Sequence, residues 1–172
     1  RIEAIDALET HYSPPSGGGP LSQPVALAHA ARTALLDFLS ITNVIWSQNG
    51  GTVVSATDGT PGYILARSVE KYGRPVAFVF AGDAPEADGA LVVLDAERMQ
   101  SSFNCQALLR GLAYPTYYKG LFFDLRTALT AAVVQARSQK LGVYRDDITT
   151  IGAVISSLSI ITDDRPILPK LF

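Results

Sequence analysis

An α+β fold is predicted by three features of the sequence. Short apolar runs between residues 43 and 94 are separated by glycine-rich turns, and helical spacing of apolar residues recurs before and after them. In addition, 48% of the 172 residues are hydrophobic against 17% charged. A chain of this size forms one compact domain, and strands with helices set around them suit a small closed barrel carrying about three helices.

Taken in order, RIEAIDALE at 1 to 9 reads as a short strand running into a loop, with Asp6 and Glu9 at its exit. HYSPPSGGGPLSQP follows with four of the ten prolines and three consecutive glycines, a composition that continues neither helix nor sheet and predicts a mobile surface loop. From Gln23 to Ser40, Leu27, Ala31, Leu35, Phe38 and Leu39 recur at helical spacing, with Ser22 as N-cap and Pro24 in the first turn. Asn43 to Ser47, Thr52 to Ala56 and Gly62 to Ser68 read as a β-meander, punctuated by QNGG and TDGTPG. RPVAFVFA at 74 to 81 is apolar enough for a central strand, and ALVVL at 90 to 94 for another, in a mostly antiparallel sheet. Asn104 to Gly111 reads as a short helix closed by glycine. Leu121, Leu125, Leu129, Val133 and Ala136 define a longer amphipathic one ending near Leu141-Gly142. Residues 148 to 172 read as a β-rich extension packed on the core, beyond a domain at 1 to 147.

Composition excludes several functions. A formal net charge of −2 removes a broad electrostatic case for nucleic-acid or membrane binding, so any anion site is local. One cysteine and two histidines cannot assemble a structural zinc cage. No apolar run approaches the roughly 20 residues of a membrane span. There is no GxSxG elbow or P-loop, and the GGG at 17 to 19 lacks a strand-to-helix context. The chain opens at Arg1, without an initiator Met and inside what reads as a strand, which predicts that upstream residues were removed.

Three constellations carry chemistry. Arg1, Asp6 and Glu9 can hold a hard cation and a phosphate together, or form a surface ion cluster. KYGR, Lys71 to Arg74, reads as a β-turn with Gly73 at the special position. With Arg1, its arginine would supply a clamp on phosphate, whereas Lys71 acts as a point charge. Tyr114, Tyr117 and Tyr118 beside Lys119 suit either base stacking or core packing.

In combination and order, these segments resemble the staphylococcal nuclease (thermonuclease-like) family. RIEAIDALET resembles the strand and loop in which an Arg, an Asp five residues later and a Glu three residues after that form most of the active site. KYGRPVAFVF resembles the segment that supplies a second catalytic arginine. SFNCQALLRGLAYPTYYK resembles the next short helix and tyrosine-bearing loop. LRTALTAAVVQARSQKLGVYRDD resembles the last helix, with Tyr144 where an aromatic residue is expected. The resemblance covers residues 1 to about 147, most weakly through 41 to 69.

What it implies is a five-stranded OB-fold barrel with its first strands missing from this chain, and Ca²⁺-dependent endonuclease hydrolysis of phosphodiester bonds in DNA and RNA, with an exported or extracellular location. Arg1 would bind the scissile phosphate, Asp6 and the Ala7 carbonyl would ligate Ca²⁺, and Glu9 would act through a water. Arg74 would stabilise the transition state, Lys71 and Tyr72 would hold a terminal phosphate, and Tyr117 or Tyr118 would stack on a base. The sequence departs from the family pattern where Ala7-Leu8 replaces Thr-Pro. A second metal-ligating Asp would lie upstream of Arg1, since TDGT at 57 to 60 stands in the wrong order. The segment from Gln48 to Ser68 is long, and the last 25 residues have no counterpart. The alternative of a different class is a noncatalytic OB module that binds nucleic acid or protein. A barrel lacking strands is expected to recruit a complementing N-terminal fragment, exchange strands in a dimer, or fill the gap with its own extra segments.

Overall fold

The computed structural model describes residues 1–15 and 17–172, which leaves Ser16 of the proline- and glycine-rich loop outside the described residues. In chain order the elements are β1 (Ile5–Asp6), α1 (Val25–Phe38), β2 (Thr42–Trp46), β3 (Val53–Thr57), β4 (Gly62–Val69), β5 (Pro75–Ala81), α2 (Ala96–Gln100), α3 (Phe103–Leu109), β6 (Tyr114–Pro115) and α4 (Phe123–Ser138). Helical turns at Gly142–Arg145, Ile160–Asp164 and Pro169–Leu171 complete the chain. The class is α+β, and the strand pairs are antiparallel.

Two strand pairs, β4 with β5 and β1 with β6, are linked by an isolated bridge from the N-terminal segment. β4 pairs with β5 from Gly62 opposite Ala81 to Val69 opposite Pro75. Beside β5, Ile2 forms a parallel bridge to Ala77: the Glu3 N–H donates to the Ala77 carbonyl at 2.8 Å, and the Ala77 N–H donates to that of Arg1 at 3.0 Å. Two residues on, β1 takes β6 on its other side, with Asp6 opposite Tyr114. Buried Asn104, at the start of α3, staples this junction: its amide donates to the Glu3 carbonyl at 2.7 Å and accepts from the Val79 N–H at 3.0 Å. Such a buried polar side chain is stable only with these partners.

The core lies between these strands and the helices. Phe78 and Phe80 of β5 meet Met99, Leu108, Leu125, Leu129 and Val133, with Tyr114 edge-on to Tyr144 at 5.8 Å. Gly111 and Gly142 lie backbone to backbone where α3 ends and α4 returns. Both have positive φ, and a Cβ on either would overlap the other segment's carbonyl.

Several expectations are corrected. The strands of the described residues do not close into a barrel; β2 and β3 form a separate hairpin. The expected meander therefore breaks between β3 and β4, where the exposed linker leads to Pro61, which has no N–H for a ladder. ALVVL at 90 to 94 is not a strand: Leu91 and Val93 are 104% and 91% exposed. The Arg98–Glu86 pair at 2.6 Å and the Asp95 cap, which accepts from the Arg98 N–H at 2.8 Å, commit the following residues to α2 instead. That helix brings the number of α-helices among the described residues to four where about three were expected. Helix α1 begins at Val25, with Pro24 rather than Ser22 at the cap and no side-chain cap bond. Residues 148–172 contain no strand, and Pro166 and Pro169 remove ladder donors there. The extension does pack on the body of the protein, with Ile148, Pro166 and Pro169 buried and Leu168 against the core.

Candidate active site

The site gathers where the N-terminal segment leaves β5 and passes to β6. The Arg1 α-amino group donates to the Pro75 carbonyl at 2.7 Å. Its guanidinium lies over the Tyr118 ring, 4.7 Å from the centroid, and donates to the Tyr118 hydroxyl. Asp6 sits at the end of β1, half-buried, and its carboxylate accepts from the Thr116 hydroxyl at 3.4 Å. Burial pushes the Asp6 carboxyl up, against the opposing pull of Lys170, Arg1 and Thr116.

Buried Leu8 fixes the loop that follows, and Gln23 clamps the backbone of Glu9 from both sides. The Glu9 N–H donates to the Gln23 amide oxygen at 3.0 Å, and the Glu9 carbonyl accepts from the Gln23 N–H at 2.8 Å. The Glu9 carboxyl is raised by burial and then by the charge of Asp6, so the two carboxylates share one electrostatic neighbourhood. Between them Ala7 is exposed, and its carbonyl accepts no hydrogen bond among the described residues.

The second arginine stands one residue from Pro75. The β4–β5 turn is built on Gly73 with φ +82°, and on the Glu70 carboxylate, which accepts from the N–H groups of Tyr72 at 2.9 Å and Arg74 at 3.2 Å. Glu70 also pairs with the Arg74 guanidinium at 3.1 Å, and this bond holds the Glu70 carboxyl below its ordinary range. Arg74 is thus oriented by Glu70 and makes no contact with Asp6 or Glu9. Lys71 and Arg74 both lie over the Tyr72 ring, at 4.8 and 5.7 Å from its centroid. A cavity of about 200 Å³ lies between Arg1 and Glu70, lined also by Glu3, Arg67 and Tyr118, and neither the carboxylates of Asp6 and Glu9 nor Arg74 line it.

The tyrosines separate by role. Tyr114 is in the core and donates to Asp147 at 2.8 Å. Tyr117 packs against the same core, accepts from Thr130 at 3.4 Å, and burial raises its phenol. Tyr118 is exposed beside Arg1, with its phenol lowered by Lys170 and Arg1. Asp58 of TDGT lines a different cavity, of about 550 Å³, with Tyr63, Phe80 and Glu86.

Sequence reasoning missed three residues. Glu70 had a local signal, its spacing of four from Arg74 around a glycine turn. Gln23 and Lys170 had none, because each acts across the fold. As for a metal, Asp6, the free Ala7 carbonyl and Glu9 are hard oxygen donors around desolvated carboxylates, which fits a Ca²⁺-like ion. They are a partial set: no group of three or more His, Cys, Asp and Glu side chains gathers among the described residues. No helix among them is long and apolar enough to cross a membrane. Neither a protein-family model nor a curated protein sequence matches the chain.

Proposed function

We propose that this protein is a metal-dependent nuclease that hydrolyses phosphodiester bonds. The observation that carries the reading is that Arg1, over an exposed Tyr118, acts on the charge of Asp6, and Asp6 on that of Glu9: an unpaired guanidinium and an aromatic face near two desolvated carboxylates. Neither carboxylate forms an ion pair among the described residues. The repulsion between them is relieved by a cation, which would be held by Asp6 and the Ala7 carbonyl and, through water, by Glu9. A bound Ca²⁺ would supply Lewis-acid polarisation of a phosphoryl oxygen. Arg1 binds a phosphate oxygen, Glu9 takes a proton from the water that attacks phosphorus, the P–O bond to the leaving sugar oxygen breaks and that oxygen is protonated by solvent, and Tyr118 carries a base. Arg74, on the neighbouring turn, moves from Glu70 to the phosphate as charge builds.

We further propose that the β4–β5 and β1–β6 pairs belong to an OB-type barrel, with the parallel bridge at Ile2 and Ala77 that links them as support. The outer edge of β4 would then be covered by a further strand, from an N-terminal fragment or a second copy of the chain. The Arg74–Glu70 pair and the short donor set favour a second reading, a nucleic-acid-binding or protein-binding module without catalysis.

Cleavage of single-stranded DNA separates the two. The nuclease reading expects cleavage that needs Ca²⁺, stops with a chelator and falls roughly 10²-fold in Glu9→Gln. Binding of DNA without cleavage at any Ca²⁺ concentration would establish the noncatalytic module instead.

A further inference from the structure

The C-terminal segment is fixed across the candidate site at several points. The buried Gln23 amide that clamps Glu9 also donates to the Ile167 carbonyl at 2.8 Å. The Leu168 N–H donates to the Thr149 hydroxyl at 2.9 Å, and Leu168 itself packs on the core. Pro166 and Pro169 are buried, and the Phe172 ring meets Tyr12 edge-on at 5.5 Å. Exposed Lys170 therefore leaves a braced strap, in the turn Pro169–Leu171, rather than a free end.

Its ammonium reaches the ring that Arg1 already covers. Lys170 Nζ lies 4.5 Å from the Tyr118 centroid, against 4.7 Å for the Arg1 guanidinium carbon. Two cations on one phenol repel each other, and among the described residues neither has a carboxylate within ion-pair distance. A tetrahedral oxyanion placed between them would take a hydrogen bond from each and relieve that repulsion. We propose that Lys170 is a second phosphate-binding residue of the site, delivered by the C-terminal strap to share one phosphate group with Arg1. The inference rests on the nuclease reading for the identity of that anion, a nucleic-acid phosphodiester.

Fluorescence anisotropy tests it on the full chain, with a single-stranded DNA oligonucleotide in chelator so that nothing is cleaved, at several salt concentrations. Lys170→Ala is expected to weaken binding roughly tenfold, the size of one charge-assisted hydrogen bond. It is also expected to flatten the salt slope by about 0.7, the share of one single-strand phosphate contact. Lys170→Arg should keep most of both, and inorganic phosphate should displace the oligonucleotide less effectively from Lys170→Ala than from wild type. Unchanged affinity and slope in Lys170→Ala, with Arg1→Ala weakened, would overturn the assignment and leave the nuclease reading in place. Tighter binding in Lys170→Ala would overturn it as well, by making the strap an obstruction. Weakened binding in Lys170→Ala, together with no cleavage by the wild-type chain at any Ca²⁺ concentration, would support the phosphate site and remove the nuclease reading.

Discussion

Adjacent in sequence, Tyr117 and Tyr118 differ in what surrounds them, and the difference decides what each can do. Tyr117 is partly buried against the core, whereas Tyr118 is 42% exposed, with the cations of Arg1 and Lys170 at 4.7 and 4.5 Å from its ring centroid. Tyr117→Ala should lower stability by about 2–4 kcal/mol, as truncation of a packed aromatic residue does, with little effect on oligonucleotide affinity in the folded fraction. Tyr118→Ala should do the reverse, costing about 1–3 kcal/mol of single-strand binding with the thermal midpoint unchanged. Denaturant melts and anisotropy on the two variants check both halves. Equal binding losses from both tyrosines would mean that the loop acts as one stacking surface.

At the scale of elements, the site depends on where the N-terminal segment lies beside β5, and Asn104 fixes that. Asn104→Ala leaves the Glu3 carbonyl and the Val79 N–H without their side-chain partner, so a loss of about 2–3 kcal/mol in urea unfolding is expected. Cleavage should fall with it, since Arg1 and Asp6 are carried by the segment that loosens. A fully stable variant would show that the parallel bridge at Ile2 suffices alone. This staple was not legible in the sequence, because one asparagine at a helix start has no pattern. The elements that were legible have one: α1 and α4 repeat apolar residues at helical spacing, and β4 and β5 are bounded by glycine turns and grow around KYGR. ALVVL misled because its alternation suits a strand, but no neighbouring strand offers it a ladder. The tail misled because apolar residues without a period suit a strand and a packed strap equally well, and its two prolines decide for the strap. Helix α2, at five residues, is too short to show a period and is made by its Asp95 cap.

For the whole molecule, the fold brings Arg1, Tyr118 and Lys170 together from distant parts of the sequence with Asp6 near them, while Arg74 stays on its own turn with Glu70. Arg1, Asp6 and Glu9 come from the first strand and its exit, Arg74 from the turn into β5, Tyr118 from beyond β6 and Lys170 from the last turn. The sequence order made the first five candidates through resemblance to a known active site, while the last depended on a strap that only tertiary packing reveals. Groups that act on one phosphate fail together, so their losses do not multiply. The most direct test is a double-mutant cycle on Ca²⁺-dependent cleavage of single-stranded DNA, with Glu9→Gln, Arg74→Ala and the pair combined. Each single change is expected to lower the rate by roughly 10²-fold with folding intact, and the double to fall well short of the roughly 10⁴-fold product. Near-wild-type rates in both single variants would contradict the account.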